Sequence, residues 1–275
     1  MKIKIPKSQL ICFILIIIIC IIAIFEAVYY VLNPTSLEGA KKEEENKKAE
    51  QQATAKDFDD IFQNNFVNTI NSGDIEKIDN TQDYIYTSYE KEEEFPGQYD
   101  INVNIPTINI NSEEIKSYND EIKAIFEDKA ESILNGGSNN SVYSVDYQAY
   151  LNEDILSIII KSTLKEGDNP QRVIVQTYCY NTREMRKVEF DEIMQLKNLD
   201  KNNVSETIKT QIQGKQEEAR ALQQLGYSAY LRDLRSDRYE VENIDNFFID
   251  ETNHIYVIYA YGNAELTDVT DVVIF

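Results

Sequence analysis

One histidine, three cysteines and 48 acidic side chains are the groups with which this 275-residue chain could do chemistry. A Ser-His-Asp or Cys-His arrangement would have to use His254, at the start of a strand-like run just after a turn. No serine, threonine or cysteine stands in a recognisable nucleophile elbow, so a structural role is expected for that ring. Cys179 lies inside the strand-like run 173–180 and reads as an inert buried thiol rather than a nucleophile. A zinc site needs several His or Cys ligands, which the chain does not offer in a conventional set. Glu265, Asp268 and Asp271 crowd together near the C-terminus, where Ca²⁺ could bind. Their spacing does not match an EF-hand loop, and a solvated acidic turn is the expectation. Paired carboxylates remain as a catalytic device, but a glycosidase needs two across one cleft, and the sequence marks no pair among dozens. The absence of Trp removes the commonest sugar-stacking residue, although 18 Tyr could substitute. Neither common Gly-rich phosphate loop is present. The sequence thus nominates no catalytic, cofactor-binding or metal-binding residue, and the chain is expected not to be an enzyme and to need no cofactor.

What positions the rest begins with the first 32 residues. Lys2, Lys4 and Lys7 precede an apolar run from Leu10 to Phe25 that continues past Glu26 through Ala27 to Leu32. About 23 apolar residues suffice to cross a hydrocarbon core of roughly 30 Å as a helix. Glu26, near the end of the span, can reach the polar headgroups. No Lys or Arg follows until Lys41, so the charge bias puts the N-terminus in the cytoplasm and everything after about residue 33 outside. A cleaved signal peptide is the rival reading, but the apolar core is too long and no small-x-small site follows it. Cys12 and Cys20 fall inside the span and read as apolar residues there.

Setting aside the three N-terminal lysines leaves 24 basic against 48 acidic side chains, a net charge near −24 on the exterior. Nucleic-acid binders need basic patches, so that partner class is excluded, while basic proteins or cations would be attracted. Cys179 is the only exterior cysteine, so no internal disulfide is possible and a hydrophobic core must hold the domain.

The pattern divides the chain into a short cytoplasmic tail (1–9), a transmembrane helix (10–32), a polar stalk with an amphipathic helix (33–80) and an extracytoplasmic domain (81–275), with a candidate sub-boundary near 165. In the stalk, Phe58, Ile61, Phe62, Phe66 and Ile70 recur at helical spacing and should pack on the globular part or on a partner copy. Residues 84–89 read as a short strand, and Tyr99, Ile101, Val103 and Ile105 alternate as a half-buried strand ending at Pro106. Ser112 should cap a helix whose stripe is Ile115, Tyr118, Ile122, Ile125, Phe126, Ile133 and Leu134. Strands over 142–151, 155–164 and 172–180 suggest an antiparallel meander. A helical region over 191–225 is expected to be interrupted at Gly214 and closed by Gly226. A hairpin over 247–261 and a strand over 269–275 finish the chain. The fold class is α+β, a mainly antiparallel sheet with packed helices.

Several of these stretches resemble a known family. The segment Tyr99-Asp100-Ile101-Asn102-Val103-Asn104-Ile105-Pro106, with Ile108-Asn109-Ile110 and the helix holding Tyr118-Asn119-Asp120-Glu121-Ile122, is similar to the start of a bacterial extracytoplasmic domain. That domain, here called RsiV-like, is shared by the anti-sigma factor RsiV and the accessory region of the peptidoglycan deacetylase PdaC. Tyr180-Asn181-Thr182-Arg183, Val188 to Ile193, Asn246 to Asp250, Ile255 to Tyr261 and Asp271 to Phe275 resemble its later strands and short helix. The likeness spans roughly 81–275. Glu166-Gly167-Asp168-Asn169-Pro170 replaces the family's Gly-Gly-Ala-His-like turn, so no ligand contact is carried over there. An anti-sigma factor is expected to have several tens of cytoplasmic residues, against about nine before the span here. The resemblance implies a single-pass, membrane-anchored sensor or binding protein of the cell envelope. Its partner would be an envelope component such as peptidoglycan, or an extracellular basic protein of the lysozyme kind. An envelope structural or assembly protein is the second reading; a peptidoglycan-acting enzyme and a true anti-sigma factor rank behind it.

Overall fold

The computed structural model describes residues 58–62, 75–136, 140–261 and 268–275. The predicted tail, transmembrane helix and charged stalk up to residue 57 lie outside the described residues, as do Phe66, Ile70 and Glu265. No helix among the described residues is long and apolar enough to cross a membrane. Two mainly antiparallel sheets and four α-helices among those residues make an α+β fold.

The first sheet opens with a hairpin of β1 (Ile85–Phe95) and β2 (Tyr99–Ile108), turned at Gly97 with a φ of 79°. The strand predicted over 84–89 runs on through Glu90-Lys91-Glu92-Glu93-Glu94. No strand among the described residues pairs with its outer edge, so charged side chains stand in water on a strand they also protect from stray pairing. β2 likewise continues past its predicted end. Pro106 faces Thr87, where the ladder slips between Thr87 and Tyr89, so the missing N–H falls at an irregularity.

Ser112 Oγ accepts the Ile115 N–H at 3.1 Å and caps α1 (Glu113–Ile122) as expected. A π-helical turn, Lys123–Glu127, then joins it to α2 (Asp128–Gly136). The buried stripe runs Ile115, Tyr118, Ile122, Phe126, Ala130 and Ile133, whereas Ile125, predicted to belong to it, faces out at 38% exposure. This helical crossover lays β3 (Ser141–Asn152) parallel to β2, a pairing that the strand pattern did not announce. From β3 the chain meanders through β4 (Ile155–Glu166) and β5 (Arg172–Asn181) to the two-residue β6 (Arg186–Lys187), all antiparallel. Position 165 falls in β4, opposite Val142 of β3.

The helical region predicted over 191–225 is two helices, α3 (Phe190–Leu196) and α4 (Lys201–Gln224). Asp200 starts α4 by accepting the N–H groups of Asn202 and Asn203 at 3.0 and 3.1 Å. Gly214 does not interrupt α4: one weak helix former among 24 residues is carried by the packed stripe Val204, Ile208, Ile212 and Ala219. Gly226, at a φ of 88°, closes it as expected. The Gly226 N–H reaches the Gln223 carbonyl at 2.9 Å and the Tyr227 N–H reaches that of Leu222 at 3.0 Å.

The second sheet holds β7 (Phe247–Ile249), β8 (Ile255–Tyr261) and β9 (Val269–Ile274). Phe248, Tyr256, Ile258 and Ile274 pack with Ile159 and Val175 of the first sheet, and Phe58 and Ile61 join that cluster. The described part of the amphipathic stalk segment therefore packs on the globular body. Ile249, Val257 and Val273 instead meet Val204, Ile208 and Ile212 of α4. β4 is buried on both faces: Leu156, Ile158 and Ile160 join the α1–α2 core, and Ile155 and Ile159 the opposite side. Side chains of the first sheet also stitch β7 in place. The Ile249 N–H donates to Ser157 Oγ at 3.1 Å, and the Phe247 N–H to Thr177 Oγ1 at 2.9 Å. Asn246 Oδ1 accepts the Thr177 N–H at 3.2 Å.

Candidate functional site

The stitched end of the two sheets gathers three turns into one cleft. The β3–β4 turn supplies Asn152, Glu153, Asp154 and Ile155; the end of β5 supplies Asn181. The exit of α3 adds Leu196, Lys197 and Asn198, and the β7–β8 turn adds Glu251 and Asn253. Together with Leu151 they line a cavity of about 610 Å³. Two of these turns, Asn152-Glu153-Asp154 and Glu251-Thr252-Asn253, are built from residue types that favour turns. Nothing in the linear pattern announced that they converge.

Backbone conformation sets this cleft apart. Five non-glycine residues among those described have a left-handed φ, and three of them, Glu153 (52°), Asn198 (51°) and Asn253 (76°), line it. Asn adopts that region readily, but Glu does so at a cost of about 1–2 kcal/mol relative to glycine. Such outliers persist where the surroundings over-determine them, and they cluster at ligand clamps.

The cleft is also pre-organised. Lys197 Nζ donates to Asn152 Oδ1 at 2.9 Å and to Asn253 Oδ1, tying two turns through one ammonium. Asn152 Nδ2 in turn donates to the Asp250 carbonyl at 3.0 Å. Arg183 pairs with Asp154 at 2.7 Å. Glu153 and Glu251 are exposed and make no ion pair among the described residues. A rigid ring of amides carrying two free carboxylates can accept hydrogen bonds from a cationic side chain or a hydroxyl-rich ligand.

His254 sits beside this cleft, on the far side of the β7–β8 turn, and it does not form a charge relay. Its Nδ1 lies 2.8 Å from Thr252 Oγ1 and 3.3 Å from Asp250 Oδ2, so both partners crowd one ring nitrogen. A relay needs the carboxylate on one nitrogen and the nucleophile on the other. Asp250 serves the turn. Its Oδ1 accepts the N–H of Thr252, the Thr252 hydroxyl and the N–H of His254, and its Oδ2 accepts the Tyr256 hydroxyl at 2.9 Å. Burial works to raise the Asp250 pKa, but the donors from His254, Thr252 and Tyr256 outweigh it and hold the carboxyl below its usual value.

The other residues singled out from the sequence are scattered. Cys179 is buried between the sheets, within reach of Ser157 Oγ at 3.4 Å, and burial pushes its thiol up to about 12. Asp268 is exposed and borders a separate depression with Phe58, Lys161 and Gln171. Asp271, expected in a solvated acidic turn, is instead 3% exposed. Arg232 holds both its oxygens, Nε donating to Oδ2 at 2.9 Å and Nη2 to Oδ1 at 2.7 Å. The two residues lie 39 positions apart, a pairing without a linear signal. No group of three or more His, Cys, Asp or Glu among the described residues could hold a metal ion.

Fold and cleft together define an α+β protein whose converging turns present a polar, acidic mouth. No family profile and no curated protein matches the chain. Among solved structures it is similar to a DUF3298 family protein from Pseudomonas aeruginosa PAO1, at 8% identity and a TM-score of 0.28, over 45% of this chain and 69% of that one. It is also similar to a DUF3298 family member from Bacteroides fragilis, at 11% identity and a TM-score of 0.33, over 64% and 79% of the two chains. Likeness at this level carries nothing about ligand or activity.

Proposed function

We propose that this chain is a non-catalytic extracytoplasmic binding module of the RsiV-like kind, held at the cell membrane by the helix read over 10–32 with its N-terminus in the cytoplasm. Its partner is an envelope component or an extracellular basic protein of the lysozyme class. The observation supporting this reading is the cleft itself, where three left-handed turns hold Glu153 and Glu251 unpaired beside a locked Lys197. The chain's net charge of −21 would steer a basic partner toward it, and the fixed amides would then set the register. Peptidoglycan, with its hydroxyls and amino groups, meets the same set of acceptors.

Calorimetric titration of the detergent-solubilised full chain with lysozyme, and separately with soluble peptidoglycan fragments, tests the proposal. Binding to one of them should survive near-physiological salt and weaken about tenfold or more in Glu153→Gln with Glu251→Gln. Attraction that disappears with salt would reduce the encounter to opposite charges meeting. Binding that the double variant leaves untouched would move the site elsewhere. Topology is tested separately: protease added to intact cells should digest the domain and spare the first few residues.

A further inference from the structure

Between Leu222 and Leu234 the chain breaks the ordinary rule of apolar inside, charged outside. Leu222 (45%), Leu225 (74%), Tyr227 (64%), Leu231 (42%) and Leu234 (41%) are exposed, while Arg232, in their midst, points inward to Asp271. The last residue of α4 buried against the body is Ala219; residues 220–228 are all exposed, so the helix end projects into solvent. After the turn at Gly226 the chain returns as a strap. Gln216 Oε1 accepts the Arg232 N–H at 2.6 Å, and the Arg232 side chain has 10% exposure at its ion pair. The C-terminal motif of α4 favours an apolar pair at Leu222 and Tyr227, which accounts for those two. It does not account for Leu225, Leu231 and Leu234.

The charges say what covers them. Four of the seven arginines in the chain, Arg220, Arg232, Arg235 and Arg238, fall between 219 and 238, against two acidic residues, Asp233 and Asp237. Elsewhere acidic residues outnumber basic ones two to one, whereas here, with Arg232 neutralised by Asp271, three arginines face two aspartates, so the repulsion between two acidic copies is weakest at this surface. Arg220, Arg235, Asp233 and Asp237 make no ion pair among the described residues. The exposed triplet Asp233-Leu234-Arg235, turned end for end, reads Arg-Leu-Asp. A two-fold axis through Leu234 therefore sets each Asp233 against the partner's Arg235 and leucine against leucine, the self-complementarity that an isologous interface requires.

We propose that the tip of α4 and the strap 225–235 form a homodimer interface, occupied by the same surface of a second copy. It lies on α4 and the segment after it, not on the turns that line the cleft, and the two proposals stand or fall separately. Sedimentation velocity on the detergent-solubilised full chain should show a dimer. Asp233→Arg, which sets like charges face to face, should raise its dissociation constant about tenfold or more. The double swap Asp233→Arg with Arg235→Asp restores a self-complementary triplet and should recover the dimer. Leu225→Glu with Leu234→Glu should abolish it. Asp233 Oδ1 also accepts the Arg235 N–H at 3.1 Å, so thermal melts must show each variant folded. A monomeric wild type overturns the proposal. So does a dimer indifferent to both the charge reversal and the leucine changes, which would place association in the membrane span. Capture of the wild type on anionic vesicles, lost in the leucine variant without any dimer, would assign the surface to lipid instead.

Discussion

Asp250 binds a turn together by accepting from four donors on Thr252, His254 and Tyr256, and its chemistry predicts how that turn responds to acid. Its folded pKa lies below the ordinary 3.8, so the stability it confers is whole above that pH and is lost as pH falls through the folded value. Asp250→Asn should cost about 1–3 kcal/mol at pH 7 and flatten the loss of stability below about pH 4, read by urea unfolding at both pH values. Arg232 and Asp271 make the opposite kind of pair, one whose rupture strands a charge. Arg232→Met should therefore destabilise by about 3–5 kcal/mol, whereas the joint change Arg232→Met with Asp271→Leu should recover most of it. At the cleft, Glu153→Gly should raise the melting temperature by relieving a left-handed φ while weakening binding, because the same substitution removes a free carboxylate. A variant that melts higher and binds as well as the wild type would strip the strain of any role in recognition.

At the scale of elements, β7 is three residues long and is kept in place by what the first sheet offers it. Ser157 supplies the acceptor for the Ile249 N–H in a fully buried setting, so Ser157→Ala leaves that donor without a partner. A loss of about 1–3 kcal/mol in denaturant midpoint experiments is expected, and an unchanged midpoint would mean the stitch is dispensable. Strands with strong alternation, such as β2, and helix signals at Ser112 and Gly226 were legible because the local pattern and the tertiary demand agree there. The π turn at Lys123–Glu127, the run of β1 through five charged residues and the parallel β2–β3 pair were not. Each is settled by partners far along the chain, by an open sheet edge, or by one extra residue per turn that periodicity cannot resolve. The candidate cleft was half legible for the same reason. Its turn residues stand out one by one, but their convergence depends on how two sheets stack.

For the whole molecule the dominant facts are an acidic composition and, among the described residues, a fold held without a disulfide. A net charge of −21 keeps copies apart except where Arg and Asp alternate, and it makes any encounter with a basic partner strongly salt-dependent at long range. The thiol of Cys179, sealed between two sheets and held protonated, adds a property unrelated to either. In the folded domain it is a silent clock. A thiol reagent can reach it only when the second sheet lifts from the first, so the labelling rate of the native protein times that opening event. Ligand at the cleft should slow the clock, and Ser157→Ala should speed it. The buried thiol of Cys179 thus lets the breathing of the two sheets be followed without any introduced probe.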